Sequence, residues 1–66
     1  MKINKASLDL LRAKQCLLTR ELAKLAGISD LTIRNGYKQD VDPVSIGKIA
    51  KALGVEPEDI IIKEGE

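Results

Sequence analysis

Histidine, phenylalanine and tryptophan are absent from this 66-residue chain; Tyr37 is its one aromatic residue and Cys16 its one cysteine. Without histidine and with a single thiol, the donor set of a structural zinc site is missing. A lone cysteine also rules out an internal disulfide, so a reducing cytoplasm is the expected setting. No apolar run approaches the roughly 20 residues that a bilayer span requires, and no N-terminal stretch has signal-peptide character. Neither membrane association nor export is expected. A glycine-rich phosphate loop and a recognisable catalytic acid pair are missing too, so the chain reads as no enzyme, with no cofactor and no small-molecule substrate.

What is present is aliphatic and charged. Hydrophobic residues make up 44% of the chain with almost no aromatic area, so the core must be built from Leu, Ile, Val and Ala. A chain of this length buries only about 60% of its unfolded surface and often gains stability by dimerising. One domain, residues 1–66, is expected. Net charge is only +1, but its distribution is uneven. Residues 12–38 hold six bases (Arg12, Lys14, Arg20, Lys24, Arg34, Lys38) against Glu21 and Asp30, a balance of +4. Residues 56–66 hold five acids against Lys63, a balance of −4. A cationic stretch remote from an acidic tail suits a small nucleic-acid binder; the competing account is a scatter of solvated charges that keeps the chain soluble.

Local signals divide the chain into short helices. Residues 1–4 read as extended, with Ile3 their one large branched side chain. A first helix is expected from near Ser7 to about Gln15, with Leu8, Leu11 and Leu10 turned inward and Cys16 a small buried group near its end. Asp42-Pro43 is a strong helix start, because Asp can cap and Pro at the first helical position forfeits no hydrogen bond. Ile46, Ile49, Ala50 and Leu53 then follow at the spacing of one buried helical face, and Gly54 ends that helix. Glu56-Pro57 opens a short fifth helix. Ile61 to Lys63 is too β-branched to extend it and is expected to pair with residues near Ile3 as a two-stranded ribbon. The tail from Lys63 to Glu66 reads as solvated.

Between these helices lies the window Thr19–Lys38, TRELAKLAGISDLTIRNGYK. Gly27 ends a helix in the left-handed conformation that glycine enters without steric cost. Ser29 caps the next helix, with Asp30 in its first turn. Leu22, Ala26, Ile28 and Ile33 place aliphatic groups where the two helices meet, and small Ala23 allows close approach. A turn of this length with a glycine in it is the sequence form of a helix-turn-helix with its core at residues 19–38.

Three stretches carry a family resemblance: ELAKLAGIS (Glu21 to Ser29), the Thr32-Ile33 pair, and IGKIAKALGV (Ile46 to Val55) followed by PEDII. In this order and spacing, from Leu17 to about Ile61, the chain resembles the Cro/phage-repressor (XRE) family of transcriptional regulators. The resemblance implies an all-α, five-helix, lambda-repressor-like DNA-binding domain that acts as a homodimer on an inverted-repeat operator in double-stranded DNA. It implies that the third helix, Ser29 to about Tyr37, enters the major groove and presents Asp30, Leu31, Thr32 and Asn35 to base edges, with Arg34 beside them. Asn35 has the chemistry to pair with adenine, and Leu31 or the Thr32 methyl to pack on a thymine methyl. Arg34 suits guanine or a phosphate, and Asp30 either a cytosine amino group or simply the helix dipole. Phosphate contacts implied by position fall on Thr19, Arg20, Ser29, Lys38 and Gln39.

The chain departs from the family pattern in two places. Leu18 and Thr19 stand where Ser or Thr and then Gln are common. Gly36 stands where a branched aliphatic residue usually packs the third helix onto the core. Either that helix stops at Asn35-Gly36 and Tyr37 folds back into the core, or it runs on through Gly36 at a cost of roughly 1 kcal/mol relative to Ala. The first is preferred. Two functions follow: a sequence-specific repressor, or a helix-turn-helix-fold interaction module, antitoxin-like or adaptor, with weak or no DNA binding.

Overall fold

The computed structural model describes residues 1–63. Lys63 is exposed; Glu64, Gly65 and Glu66, which contribute to the acidic balance and to the expected solvated tail, lie outside the described residues. Four α-helices are present among them: α1 (Lys5–Gln15), α2 (Thr19–Ala26), α3 (Asp30–Asn35) and α4 (Pro43–Leu53). The expected fifth helix is a single 3-10 turn over Pro57–Asp59, fixed by a hydrogen bond from the Glu56 N–H to Asp59 Oδ2 at 3.1 Å.

Helix α1 begins earlier than Ser7 because Asn4 is the cap: its Oδ1 accepts from the Ser7 N–H at 3.2 Å. Leu8 is fully buried and Leu11 half-buried, but Leu10 points to solvent at 69% exposure, against expectation. Cys16 is a second correction. It closes α1 in the left-handed conformation (φ 55°), and its thiol is exposed rather than buried. Helix α4 follows the sequence pattern closely. Pro43 occupies its first turn, Ile46, Ile49, Ala50 and Leu53 are buried, and Gly54 ends it with φ 74°. Asp42 caps it, accepting from the Ser45 hydroxyl at 2.6 Å and the Ser45 N–H at 3.3 Å. The hydroxyl hydrogen bond above all holds the Asp42 carboxyl below its usual range. At the other end of α4, Gln15 Nε2 donates to the Leu53 carbonyl at 2.7 Å, tying the end of α1 to a terminus that would otherwise lack a partner there.

The core is aliphatic throughout. Leu8, Leu22, Ile33, Ile46, Ile49 and Ile60 are each wholly buried, and no polar side chain among the described residues is buried with them. Helix α2 packs against both α3 and α4, and α1 against α4.

Instead of a two-stranded ribbon, the described residues contain one isolated antiparallel bridge, Ile3 to Ile61. Its two hydrogen bonds run from the Asn4 N–H to the Ile60 carbonyl (2.8 Å) and from the Ile62 N–H to the Lys2 carbonyl (2.9 Å). The other edge of the N-terminal segment is also paired. The Val41 N–H donates to the Met1 carbonyl (2.6 Å), and the Ile3 N–H to the Gly36 carbonyl (2.8 Å). Even-numbered residues thus bond to the C-terminal segment and odd-numbered ones to the chain leaving α3, as alternating backbone groups of an extended strand must.

A chain of polar contacts crosses the surface of α1. Asp9 lies between Lys5 Nζ (2.7 Å) and Arg12 Nη2 (3.0 Å). Arg12 Nη1 also donates to the Leu17 carbonyl at 3.0 Å, and the Lys5 ammonium stands 5.7 Å from the centroid of the Tyr37 ring. Hydrogen bonds from Lys5 first and Arg12 second lower the Asp9 pKa, and the same Asp9 contact raises that of Lys5. A carboxyl with a lowered folded-state pKa stabilises above its unfolded pKa, and that contribution disappears as pH falls through the lowered value. Asp9→Asn should therefore lower the melting temperature at pH 7. The gap from wild type should close in thermal melts taken well below the ordinary aspartate pKa of about 3.9.

Candidate nucleic-acid interface

The two helices of the window meet through a tight turn. Gly27 closes α2 with φ 74°, its N–H shared between the Ala23 and Lys24 carbonyls, and the Ile28 N–H reaches back to the Ala23 carbonyl at 3.0 Å. These bonds satisfy carbonyls that the end of α2 leaves open and turn the chain sharply. Ser29 then caps α3, its Oγ accepting from the Leu31 N–H at 3.1 Å. Leu22 and Ala23 of α2 and Ile33 of α3 are buried, with Ala26 and Ile28 packed beside them.

With Ile33 as the only buried residue of α3, the rest of the helix faces outward. Leu31 is 58% exposed; Arg34 and Asn35 are exposed, and Asp30 and Thr32 half-exposed. Asp30 and Arg34 form an ion pair at 3.3 Å across one helical turn, so in the free chain the charge of each is partly answered by the other. Thr32, Asn35 and Gln39 line one shallow hollow together with Gly36, Asp40, Val41 and Asp42. Nothing in the local sequence pattern of Asp40 signals that it stands at the rim beside Asn35. Lys38 and Gln39 are exposed, and both of their N–H groups donate to the Asn35 carbonyl, at 3.1 and 2.8 Å. They are thereby held close to the last turn of α3. Arg20 and Ser29 are exposed and Thr19 half-exposed, with Thr19 and Arg20 in the first turn of α2.

Helix α3 ends at Asn35, short of Tyr37, and Tyr37 packs half-buried against the core. Gly36 does not stop the helix through the backbone freedom of glycine. Gly36 has φ −64° and ψ −17°, an ordinary right-handed helical conformation open to any residue. What the position lacks is room. A β-carbon there would stand 2.6 Å from Ile3 Cδ1 and 2.7 Å from Val41 Cγ2.

The cationic balance of residues 12–38 is smaller in the fold than along the chain. Arg12 is committed to Asp9 and the Leu17 carbonyl, and Arg34 to Asp30. Lys14, Arg20, Lys24 and Lys38 form no ion pair among the described residues, and three of them belong to the helix-turn-helix window.

Residues 2–66 match the family model described as a Cro/C1-type HTH DNA-binding domain. The match takes in α1 and the N-terminal segment as well as the window. No curated protein and no solved structure matches the chain.

The start of α2 shows what Leu18 costs. Its backbone N–H donates to Glu21 Oε1 at 2.9 Å, but its side chain has no oxygen with which to answer the free N–H groups of the first turn. Leu18 is 53% exposed, so little burial is lost when it is replaced. Leu18→Ser should stabilise the fold by about 1 kcal/mol, measured as a raised urea midpoint at unchanged slope.

Proposed function

The chain belongs to the family of Cro/C1-type helix-turn-helix DNA-binding domains, and we propose that it is a sequence-specific transcriptional repressor that binds an inverted-repeat operator as a homodimer, with α3 in the major groove. The observation that carries this reading is the division of α3: Ile33 anchors it to the core, while Leu31, Arg34 and Asn35 project from it. In this reading Asn35 pairs with adenine, and Thr32 and Leu31 meet thymine methyls. Arg34 exchanges Asp30 for a guanine or a phosphate, and Asp30 accepts from a cytosine amino group. Thr19, Arg20, Ser29, Lys38 and Gln39 hold the flanking phosphates and fix the register.

Two-fold pairing has a candidate seam at the C-terminal segment. Met1 and Ile62 are each 48% exposed beside Ile61, whose backbone N–H and C=O find no partner among the described residues. An open backbone edge flanked by apolar side chains suits an isologous contact. Dimerisation would set two copies of α3 about 34 Å apart, in successive major grooves. The exposed Leu31 and the mutual neutralisation of Asp30 and Arg34 favour the second reading, an adaptor whose α3 meets a protein partner.

Selection of bound duplexes from a random pool separates the two. An operator binder enriches an inverted repeat with half-sites about 10 base pairs apart; an adaptor enriches nothing and shows no cation-dependent affinity in a low-salt titration. Asn35→Ala and Thr32→Ala should each reduce the preference for the enriched duplex over random DNA about tenfold, with random-DNA affinity unchanged. Lys38→Ala should weaken binding to both and reduce the salt slope by about 1. Asp30→Asn, which releases Arg34, should raise affinity for both duplexes at low salt; a loss of preference at one cytosine would instead assign Asp30 to base reading.

A further inference from the structure

Helix α3 is short and poorly anchored for a helix that must hold side chains in register with base edges. Its six residues bury one side chain, Ile33, near the middle. At its exit, where a side chain of α3 could reach the core, stands Gly36 with none to offer. Yet Gly36 is buried, and the space beside its α-carbon is filled from another part of the chain. Ile3 Cδ1 and Cγ1 lie 2.6 and 3.1 Å from where a β-carbon would be, with Val41 Cγ2 at 2.7 Å, and Ile3 is itself only 1% exposed. The backbones are joined as well. The Ile3 N–H donates to the Gly36 carbonyl at 2.8 Å, while the Gly36 N–H is held by the Thr32 and Ile33 carbonyls at 3.0 and 3.1 Å.

We propose that Ile3 is a positioning residue for the recognition helix: its side chain supplies from outside the anchor that residue 36 lacks, and so sets where Thr32 and Asn35 are presented. The proposal rests on the reading of α3 as the base-reading helix. The physical route is short. Ile3 touches Gly36, Gly36 is hydrogen-bonded to Thr32, and Asn35 precedes Gly36 directly. A side chain that is too small at position 3, or one too many at position 36, moves the exit of α3 relative to Ile33. Interiors packed to crystal density transmit such displacements rather than absorb them. Direct readout is sensitive to them because a bidentate amide–adenine pair tolerates little change in distance or angle.

The test uses the full chain, the duplex that the wild type enriches from a random pool, and a scrambled duplex of equal length. Titrations are run where circular dichroism shows every variant folded. Ile3→Ala should lower the preference for the enriched duplex about tenfold while leaving scrambled-duplex affinity and salt slope unchanged. Gly36→Ala should do the same, and adding Ile3→Val and Val41→Ala to it should recover much of the preference, because together they remove the two methyl groups nearest the new β-carbon, Ile3 Cδ1 at 2.6 Å and Val41 Cγ2 at 2.7 Å. If Ile3→Ala does not fold, Gly36→Ala and the triple variant Ile3→Val/Gly36→Ala/Val41→Ala decide. A parallel fall in affinity for both duplexes, or no recovery in the triple variant, assigns Ile3 a structural role only and overturns the proposal. Failure of the wild type to enrich any sequence overturns the DNA-binding reading itself, and the positioning role falls with it.

Discussion

An N-terminal segment hydrogen-bonded along both edges is the constraint from which the rest of this fold follows. Residues 1–4 lie between the chain that leaves α3 and the chain that follows the 3-10 turn, and they supply backbone partners to both. Without them the Gly36 carbonyl, the Val41 N–H and the Ile60 carbonyl would lose the partners that close the structure on that side. A core without phenylalanine or tryptophan gains no large aromatic burial to compensate. Each net hydrogen bond contributes about 1 kcal/mol, and burial of an isoleucine such as Ile3 or Ile60 roughly 1.5–3 kcal/mol. In a chain this small those sums decide between folded and unfolded.

The parts of the fold that were legible in the sequence are those whose physics is local. Gly27 and Gly54 end helices because the left-handed conformation is open to glycine, and Asp42-Pro43 starts one through a cap and a pre-set φ. Each of these signals is complete within a few residues. The misread parts depend on partners far away in sequence. Cys16 is the local exception: it closes α1 in the left-handed conformation, which its residue type does not signal, and its thiol is exposed. Gly36 resembles a conformational stop but has ordinary helical angles, and the atoms that forbid a side chain there belong to Ile3 and Val41. Gln15 had no visible task until α4 brought the Leu53 carbonyl within reach. At the interface, the outward placing of Arg34 and Asn35 was implied by the family resemblance, and both are exposed beside the buried Ile33. The placing of Asp40 beside Asn35 was not, since it follows from how the N-terminal segment holds residue 41.

Charge in this protein is arranged as much to hold the scaffold as to meet a polyanion. Arg12 joins Asp9 to the carbonyl of Leu17, which fixes the approach to α2, and Lys5 links the same carboxylate to the face of Tyr37. These contacts are surface-exposed in part and individually modest. Their geometric effect is larger than their energy, because they join three segments that the helix-turn-helix must hold together. The cations left without an ion pair among the described residues then act on a frame already set. A net charge close to neutrality is therefore compatible with a strongly uneven surface, and it limits the long-range attraction that would otherwise favour indiscriminate binding.

The pairing of residues 2 and 4 with residues 62 and 60 has a consequence for the order in which the molecule can be made. A ribosome delivers residues 1–4 before residues 60–62, so one of their two edges has no partner until residues 60 and 62 have been made. The intervening helices can form and dock while that edge is still open, since their contacts are closer in sequence. Closure between these two segments comes afterwards, and with it the final seating of Ile3 beneath Gly36. The surface that faces outward from α3 is thus completed last. A nascent chain gains its finished α3 face only once residues 60 to 62 are clear of the ribosome.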